Sequence, residues 1–144
     1  MIRNIIISFF IFLTFLSCEK SAPIFDSQRA FLDLVAQCDF GPRNPGSEGH
    51  RKTKKYILDL MQKEADSVII QDFSFESALE KKIHNGTNII GRFNPSNATQ
   101  VLIGAHWDTR PFADRDENRE NFKTPILGAN DGASGAVSYT HLRA

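Results

Sequence analysis

The apolar positions in the first half of the sequence repeat with a helical period in two stretches. Four residues spaced i, i+3, i+4 and i+7 predict the buried face of a first helix, which Asp26 or Ser27 caps. These four residues are Phe31, Leu34, Val35 and Cys38. Ser47 is a suitable N-cap for a second helix. The predicted buried stripe of that helix consists of Tyr56, Ile57, Leu60, Met61 and Ala65.

After the second helix, the pattern changes to that of strands. Residues 68–75 and 87–93 are rich in β-branched and aromatic side chains, which predicts two strands, and Asn85-Gly86 is a turn signal before the second. Residues 94–97 (NPSN) predict another turn. Residues 101–105 (VLIGA) form a continuous apolar run, which predicts a strand buried on both faces. The order of two helices and three strands predicts an α/β fold.

The first 17 residues have the pattern of an export signal. Arg3 precedes an almost wholly apolar run, residues 5–16, which is shorter than the about 20 residues that span a membrane. Residues 16–18 (LSC) resemble a bacterial lipobox, in which Cys18 carries the lipid anchor and becomes the first mature residue. We therefore expect residues 1–17 to be a lipoprotein signal peptide. A plain signal peptide with an incidental Cys18 is the alternative.

This leader determines the expected location. An exported lipoprotein belongs to the bacterial cell envelope, either facing the periplasm or on the outer membrane, and its lipid anchor makes the membrane a partner. Composition adds that 17 Lys and Arg balance 17 Asp and Glu, so the sequence indicates no nucleic-acid partner. The two cysteines cannot build a disulfide scaffold, and acylation of Cys18 would leave Cys38 as the single thiol.

Two short polar motifs carry candidate chemistry. His106 and Asp108 follow the apolar run and point to the same side of it, because side chains alternate along a strand. They lie at the carboxyl end of the predicted strand, where open α/β sheets place their sites. Asp131 lies among small residues in the segment 128–135 (GANDGASG), where the backbone can approach a ligand closely. Alone, each signal is weak, because an isolated histidine is more often structural and an aspartate at a helix start is more often an N-cap.

Together, these motifs resemble the M28 family of zinc peptidases. The similarity depends on residues 104–109 (GAHWDT) and 127–135 (LGANDGASG), and it extends from about residue 37 to residue 137. Residues 106–111 (HWDTRP) and 40–47 (FGPRNPGS) are most similar to the bacterial glutaminyl-peptide cyclotransferase branch. The resemblance implies the N-terminal part of an M28-type zinc-exopeptidase α/β/α fold with a mixed central sheet.

The resemblance also implies roles for single residues. The family acid that matches Asp131 is a zinc ligand, and the histidine that matches His106 is a ligand in members with two zinc ions. His106 and Asp131 are therefore the expected metal ligands for one or two zinc ions. Asp108 is expected to orient the histidine for catalysis. The family further implies a cis peptide bond between Asp131 and Gly132.

The activity that the resemblance implies is zinc-dependent conversion of an N-terminal glutamine to pyroglutamate with release of ammonia. Its substrates are the N-termini of peptides or proteins. An M28 zinc aminopeptidase that hydrolyses N-terminal residues is the alternative within the enzymes. A non-catalytic, peptidase-like envelope protein that only binds peptides is the alternative from another class.

The family's acid–base glutamate and its further metal ligands have no counterpart in the sequence. We therefore expect residues 18–137 to be the truncated N-terminal part of a larger domain, inactive by itself. Residues 138–144 (SYTHLRA) resemble a translated sequencing adapter, so we predict a non-native tail and do not count His141 as a ligand. A divergent helix start is the alternative.

Overall fold

The computed structural model describes residues 24–140, and within them all side chains except those of residues 139 and 140. The elements in chain order are helix α1 (Ser27–Asp39), helix α2 (Glu48–Glu64), strand β1 (Ser67–Ser77), strand β2 (Lys82–Arg92), a 3-10 helix (Arg119–Lys123), a kinked turn (Ala129–Ala133) and helix α3 (Ser134–Thr140). The predicted signal peptide 1–17, Cys18 and His141 lie outside the described residues. Within residues 24–140, no helix combines the length and apolar character that crossing a membrane requires.

Side-chain caps fix the starts of α1 and α2. Asp26 accepts a hydrogen bond from the backbone N–H of Arg29 at 2.9 Å, and Ser47 Oγ accepts one from the N–H of His50 at 3.0 Å. Each cap satisfies a donor that the first helical turn leaves unpaired, and such caps contribute about 1 kcal/mol. Both predicted N-caps are thereby confirmed, which sets where the loop 41–46 enters α2.

The predicted buried face of α1 is wrong in part. Phe31 is 65% exposed, whereas the polar residues Asp33 and Gln37 are buried. The reason is a polar contact to α2, in which the hydroxyl of Tyr56 donates to Asp33 Oδ1 at 2.5 Å. Because a buried polar group needs a partner, this contact turns the Asp33 side of α1 inward.

Apolar packing holds α2 against the rest of the fold. Ile57 and Met61 are buried together with Ala136 of α3, which confirms those two positions of the predicted stripe. Val68 of β1, Ile89 of β2 and Trp107 pack against this cluster. Full burial of such a side chain stabilises a fold by about 1.5–3 kcal/mol. The cluster therefore contributes to stability, and its contacts join α2 and α3 to the sheet.

Strands β1 and β2 form an antiparallel hairpin whose register runs from Ser67 opposite Arg92 to Ser77 opposite Lys82. The predicted turn at Asn85-Gly86 is therefore wrong, since both residues lie inside β2 and the chain reverses at residues 78–81. The physical reason is the ring of Phe73, which covers Gly86 so closely that a Cβ there would lie 2.5 Å from the ring. Glycine serves here for close packing and not for a turn.

Residues 101–105 do not form the buried strand that their apolar run predicts. Val101 and Leu102 are 81% and 91% exposed, and no strand within residues 24–140 pairs with them. A strand depends on hydrogen bonds to a neighbour, and β1 and β2 pair with each other in a two-stranded sheet. The segment nevertheless leads directly into the candidate site.

Candidate metal centre

His106 and Asp131 meet although 25 residues separate them in sequence. The Nε2 atom of His106 lies 2.9 Å from Asp131 Oδ1. Both side chains are exposed, at 56% for His106 and 79% for Asp131, so an ion or substrate can reach them from solvent. The carboxylate of Asp131 faces the imidazole of His106. Gly128 occupies the N-cap position of the turn that contains Asp131.

Asp108 holds the other side of the imidazole. The Nδ1 atom of His106 lies 3.1 Å from the backbone oxygen of Asp108 and 3.3 Å from its carboxylate. Partial burial lowers the pKa of His106, but the hydrogen bonds and charges of Asp108 and Asp131 outweigh this effect, so its net pKa is raised. An imidazole held at Nδ1 in this way presents Nε2 outward, as a metal-bound histidine does.

Two glycines let the Asp131 turn approach the His106 segment. Gly132 has a φ of 105°, and a Cβ there would lie 2.9 Å from the backbone oxygen of Asp108 and 3.3 Å from the His106 ring. Gly128 has a φ of 62°, and a Cβ there would overlap the methyl group of Thr109. Positive φ favours glycine, and the space admits nothing larger.

The predicted cis peptide bond between Asp131 and Gly132 is wrong, since residues 24–140 contain no cis bond. The chain instead reverses through ordinary trans geometry, with Asp131 extended and Gly132 at positive φ. The conformational freedom of the glycine provides the sharp turn that a cis bond would otherwise provide.

Arg43 joins the segments that carry the two candidate ligands. It is fully buried, and its guanidinium donates to four backbone oxygens. These acceptors are Trp107 at 2.9 Å, Leu127 at 2.8 Å, Gly128 at 2.6 Å and Gln37 at 3.4 Å. The loop 41–46, the segment after residue 105 and the Asp131 turn are therefore one connected unit.

Thr109 and Trp107 complete that connection. The hydroxyl of Thr109 accepts a hydrogen bond from the backbone N–H of Arg43 at 2.9 Å, and its own N–H donates to the Arg43 oxygen at 3.3 Å. The indole of Trp107 stacks on the ring of His50 at 4.4 Å and donates to the backbone oxygen of Thr87 at 3.3 Å. These contacts anchor the segment that carries His106 to both α2 and β2.

The sequence reasoning did not assign a role to Arg43. It noted the residue only within the motif at residues 40–47, and no local pattern distinguishes a buried arginine from a solvated one. The signal available for its burial was its position in a loop of glycine and proline, because such a loop offers a long charged side chain little helical or strand surface to lie along. Its acceptors lie up to 85 residues away, which a local pattern does not reveal.

The His106–Asp131 pair fits part of a zinc site. Zinc binds imidazole nitrogen and carboxylate oxygen, and two ligands on one tetrahedral zinc are about 3.3 Å apart, near the observed 2.9 Å. A catalytic zinc usually has three protein ligands. In the described part of the chain, no group of three or more ligating side chains is arranged to hold a metal. Residues 24–140 therefore contribute two donors that fit zinc.

A small cavity of about 140 Å³ lies beside this pair. It is lined by His106, Asp108, Thr109, Arg110, Ile126 and Asp131. Arg110, which lines the cavity, also forms an ion pair with Asp114 in the loop that follows the motif.

A larger, open cleft of about 700 Å³ lies between α2 and the hairpin. The ammonium of Lys54 there lies 2.9 Å from Asp72, and Nε2 of His84 lies 2.8 Å from the carboxylate of Glu80 without the geometry of a hydrogen bond. His106 and Asp131 do not line this cleft. We therefore take the smaller cavity as the candidate site.

The sequence around the two candidate ligands matches a known protein family. Residues 88–143 match the model of Peptidase family M28. The match includes both candidate ligands and runs into the predicted non-native tail, whose origin stays a prediction. No curated protein matches the chain.

Solved structures match over a longer range. Glutaminyl cyclase from Bacteroides thetaiotaomicron, bound to N-acetylhistamine, is 36% identical with a TM-score of 0.80, over 85% of this chain and 42% of that one. Glutaminyl cyclase from Tannerella forsythia is 32% identical with a TM-score of 0.80, over 84% and 41%. A Zn-dependent exopeptidase from Parabacteroides distasonis is 31% identical with a TM-score of 0.80, over 84% and 41%.

These matches show what the chain is similar to. Residues 88–143 match Peptidase family M28 in sequence, and most of the chain is similar in fold to bacterial glutaminyl cyclases and a Zn-dependent exopeptidase. The chain has the helix-and-strand fold of M28 exopeptidases and glutaminyl cyclases, which confirms the predicted fold class. The chain spans about two fifths of the length of the solved structures that it matches: 42% of the first cyclase and 41% of the exopeptidase.

Proposed function

We propose that this chain is part of a zinc-dependent glutaminyl-peptide cyclotransferase. The observation that carries the proposal is the contact between the two motifs that distinguish this branch within the family resemblance. Arg43, from the motif at residues 40–47, binds Trp107 and Thr109, from the motif at residues 106–111. Both motifs therefore serve one purpose, which is to support the segment that carries His106.

In this proposal, His106 and Asp131 hold zinc, and further ligands come from outside the described residues. When bound, a zinc ion supplies Lewis-acid polarisation of a carbonyl oxygen. Asp108 holds Nδ1 of His106, so that Nε2 keeps a fixed direction toward the site. Arg110 and Ile126, which line the cavity, border the position of the substrate.

The proposed reaction acts on an N-terminal glutamine. Its α-amine nitrogen attacks the side-chain amide carbon, a ring C–N bond forms, and the original C–NH₂ bond breaks. The proton lost by the α-amine passes to the leaving nitrogen, which departs as ammonia. A small cavity suits this chemistry, since only the first residue of the peptide must enter it.

A zinc aminopeptidase is the second candidate. The observation in its favour is the exopeptidase from Parabacteroides distasonis, which matches this chain with the same TM-score of 0.80 as the two cyclases. Both activities use peptide N-termini and the same pair of candidate ligands. They differ in the bond that is broken, which makes product analysis decisive.

The test uses the full-length gene product, loaded with zinc, and a peptide that begins with glutamine. A cyclotransferase yields ammonia and the intact peptide with N-terminal pyroglutamate, whereas an aminopeptidase yields free glutamine and a shortened peptide. A matching peptide that begins with leucine is the control. Release of free leucine without pyroglutamate formation from the first peptide would contradict the cyclotransferase proposal.

We further propose that Cys18 carries a lipid anchor after removal of residues 1–17. The support is the sequence pattern alone, an apolar run followed by Leu16, Ser17 and Cys18. Metabolic labelling with a radioactive fatty acid in a bacterial host tests this. We expect Cys18→Ser to abolish the label, with Cys38→Ser as the matched control. Equal labelling of the Cys18→Ser variant would exclude the anchor.

A further inference from the structure

We propose that Arg43 is a positioning residue that sets the separation of His106 and Asp131. The inference rests on the proposed function insofar as these two side chains are metal ligands. It concerns a residue that touches neither of them, and it follows from where the guanidinium is placed.

The hydrogen bonds of Arg43 end directly beside the two candidate ligands. Its Nε donates at 2.9 Å to the oxygen of Trp107, the residue after His106. Its Nη2 donates at 2.6 Å to the oxygen of Gly128, three residues before Asp131. One planar group thus fixes the backbone on both sides of the site, and a shift of either segment would lengthen one of these bonds.

The site itself offers little else to hold that separation. His106 and Asp131 are exposed, and the preceding residues 101–105 are exposed as well. Besides the His106–Asp131 contact and a backbone hydrogen bond from Ile126 to Arg110 at 3.4 Å, the two segments are joined by three hydrogen bonds that the buried guanidinium of Arg43 donates. A rigid anchor in the buried layer beneath an exposed site keeps its ligands within the tolerance that metal binding requires.

Arginine suits this position better than any other cation. Its guanidinium has five N–H donors in a fixed plane, which allows simultaneous bonds to carbonyls on different segments. A lysine ammonium is a compact point charge on a flexible stem, and it cannot reach the same spread of acceptors. A positive charge alone is therefore insufficient to position the two segments, although it would neutralise the carbonyl dipoles. The exchange of arginine for lysine distinguishes these two roles.

The test compares Arg43→Lys and Met61→Ala with the unaltered full-length protein. Met61 of α2 lies in the apolar cluster that Trp107 packs against, so its truncation lowers stability and loosens this packing but removes no hydrogen bond of the site segments. The first readout is zinc affinity by competition with a chelator, below the unfolding temperature of each variant. The second is amide hydrogen exchange in metal-free protein at Thr109 and Ala133, whose N–H groups donate to Arg43 and Gly128.

We expect Arg43→Lys to weaken zinc binding about 10–100-fold, the range typical of residues that support a ligand. We also expect faster exchange at Thr109 and Ala133, with hairpin amides unchanged. Met61→Ala should leave zinc affinity within about twofold of the unaltered protein, since it removes apolar packing but none of the hydrogen bonds that orient a ligand. Unchanged affinity and exchange in Arg43→Lys would overturn the inference, as would an equal loss of affinity in Met61→Ala.

A second variant covers the case in which Arg43→Lys does not fold. Thr109→Val removes the hydroxyl that accepts from the Arg43 N–H but keeps the guanidinium. We expect a smaller loss of zinc affinity with faster exchange at Thr109, and no change in either would overturn the inference. If His106→Ala and Asp131→Ala both bind zinc like the unaltered protein, the proposed function fails, and the exchange results still decide the role of Arg43.

Discussion

The hairpin and the His106–Asp131 site are held together by different kinds of contact. In the hairpin, three cross-strand side-chain hydrogen bonds join residues 11 to 17 positions apart, and the register is continuous over both strands. At the site, the hydrogen bonds of Arg43 to Trp107, Leu127 and Gly128 join residues 64 to 85 positions apart. The hairpin is a product of local pairing, whereas the site exists only when three distant segments meet.

Both regions contain a glycine whose missing Cβ makes room for a neighbour, and here the difference is instructive. Gly86 lies under the ring of Phe73, a side chain that is 44% exposed and can rotate into solvent. Gly132 lies against the backbone oxygen of Asp108, which cannot move without moving the His106 segment. The same type of close approach is therefore adjustable in the hairpin and rigid at the site.

The largest expected effect comes from removing a candidate ligand. Asp131→Ala takes away the carboxylate that lies 2.9 Å from His106 Nε2. We expect loss of zinc binding and activity in the full-length protein beyond the about 10–100-fold typical of supporting residues. Glu117→Gln, in the exposed loop beyond the cavity, is the control and should retain both. Retention of zinc by Asp131→Ala would remove Asp131 from the metal centre.

Gly132→Ala should have the next largest effect. A Cβ at this position meets backbone at 2.9 Å, and the φ of 105° disfavours any other residue. We expect a loss of about 1–3 kcal/mol in the free energy of unfolding, together with weaker zinc binding. Denaturant unfolding and zinc competition on the full-length protein measure the two effects.

Gly104→Ala is the matched control, because no atom lies within 4 Å of its added Cβ and its φ is not positive. This substitution should leave both quantities unchanged within error. Equal effects of the two substitutions would show that general backbone stiffening, and not the close approach at Gly132, is responsible.

The same contrast explains how far sequence reasoning reached. The N-caps Asp26 and Ser47 and the burial of Ile57 and Met61 depend on neighbours within one or two turns, and they were predicted correctly. The other members of the predicted α2 stripe are only partly buried. The pairing of Asn85-Gly86 was missed, because a glycine under an aromatic ring looks the same in sequence as a glycine in a turn. The error at residues 101–105 has the same origin, since a strand depends on a partner as well as on its own pattern.

At the site, the sequence indicated the candidate residues but not what holds them in place. His106, Asp108 and Asp131 were selected by motif, and the structure brings all three together. The burial of Arg43 and its four backbone acceptors depend on how distant segments pack, which no spacing along the chain encodes. The structure therefore reveals what supports the site, whereas the candidate residues of the site were already indicated by the sequence.

Tyr56→Phe tests a polar contact in the α1–α2 layer, away from both regions. Burial, the hydrogen bond to Asp33 and its charge raise the pKa of Tyr56 to about 12. The neutral phenol is thus favoured in the folded state, so this stabilisation is present below pH 10 and is lost as the pH rises toward 12. We expect the substitution to cost about 1–2 kcal/mol at neutral pH.

That cost should shrink between pH 10 and 12, and the measurement is denaturant unfolding of both proteins across this range. Taking the difference between the two proteins removes the contribution of lysine titration, which they share. A difference that stays constant with pH would contradict the raised pKa and leave only a packing role for the hydroxyl.

The smallest effect is expected for Gly86→Ala in the hairpin. The added Cβ would lie 2.5 Å from the far end of the Phe73 ring, yet this half-exposed ring can swing outward. We therefore expect a loss of less than about 1 kcal/mol, the range of a single cross-strand contact, and no change in zinc affinity. In the background of Phe73→Ala the loss should disappear, because the obstructing ring is gone. A loss as large as that of Gly132→Ala would mean that the hairpin is as rigid as the site, and the contrast between local and distant contacts would not hold.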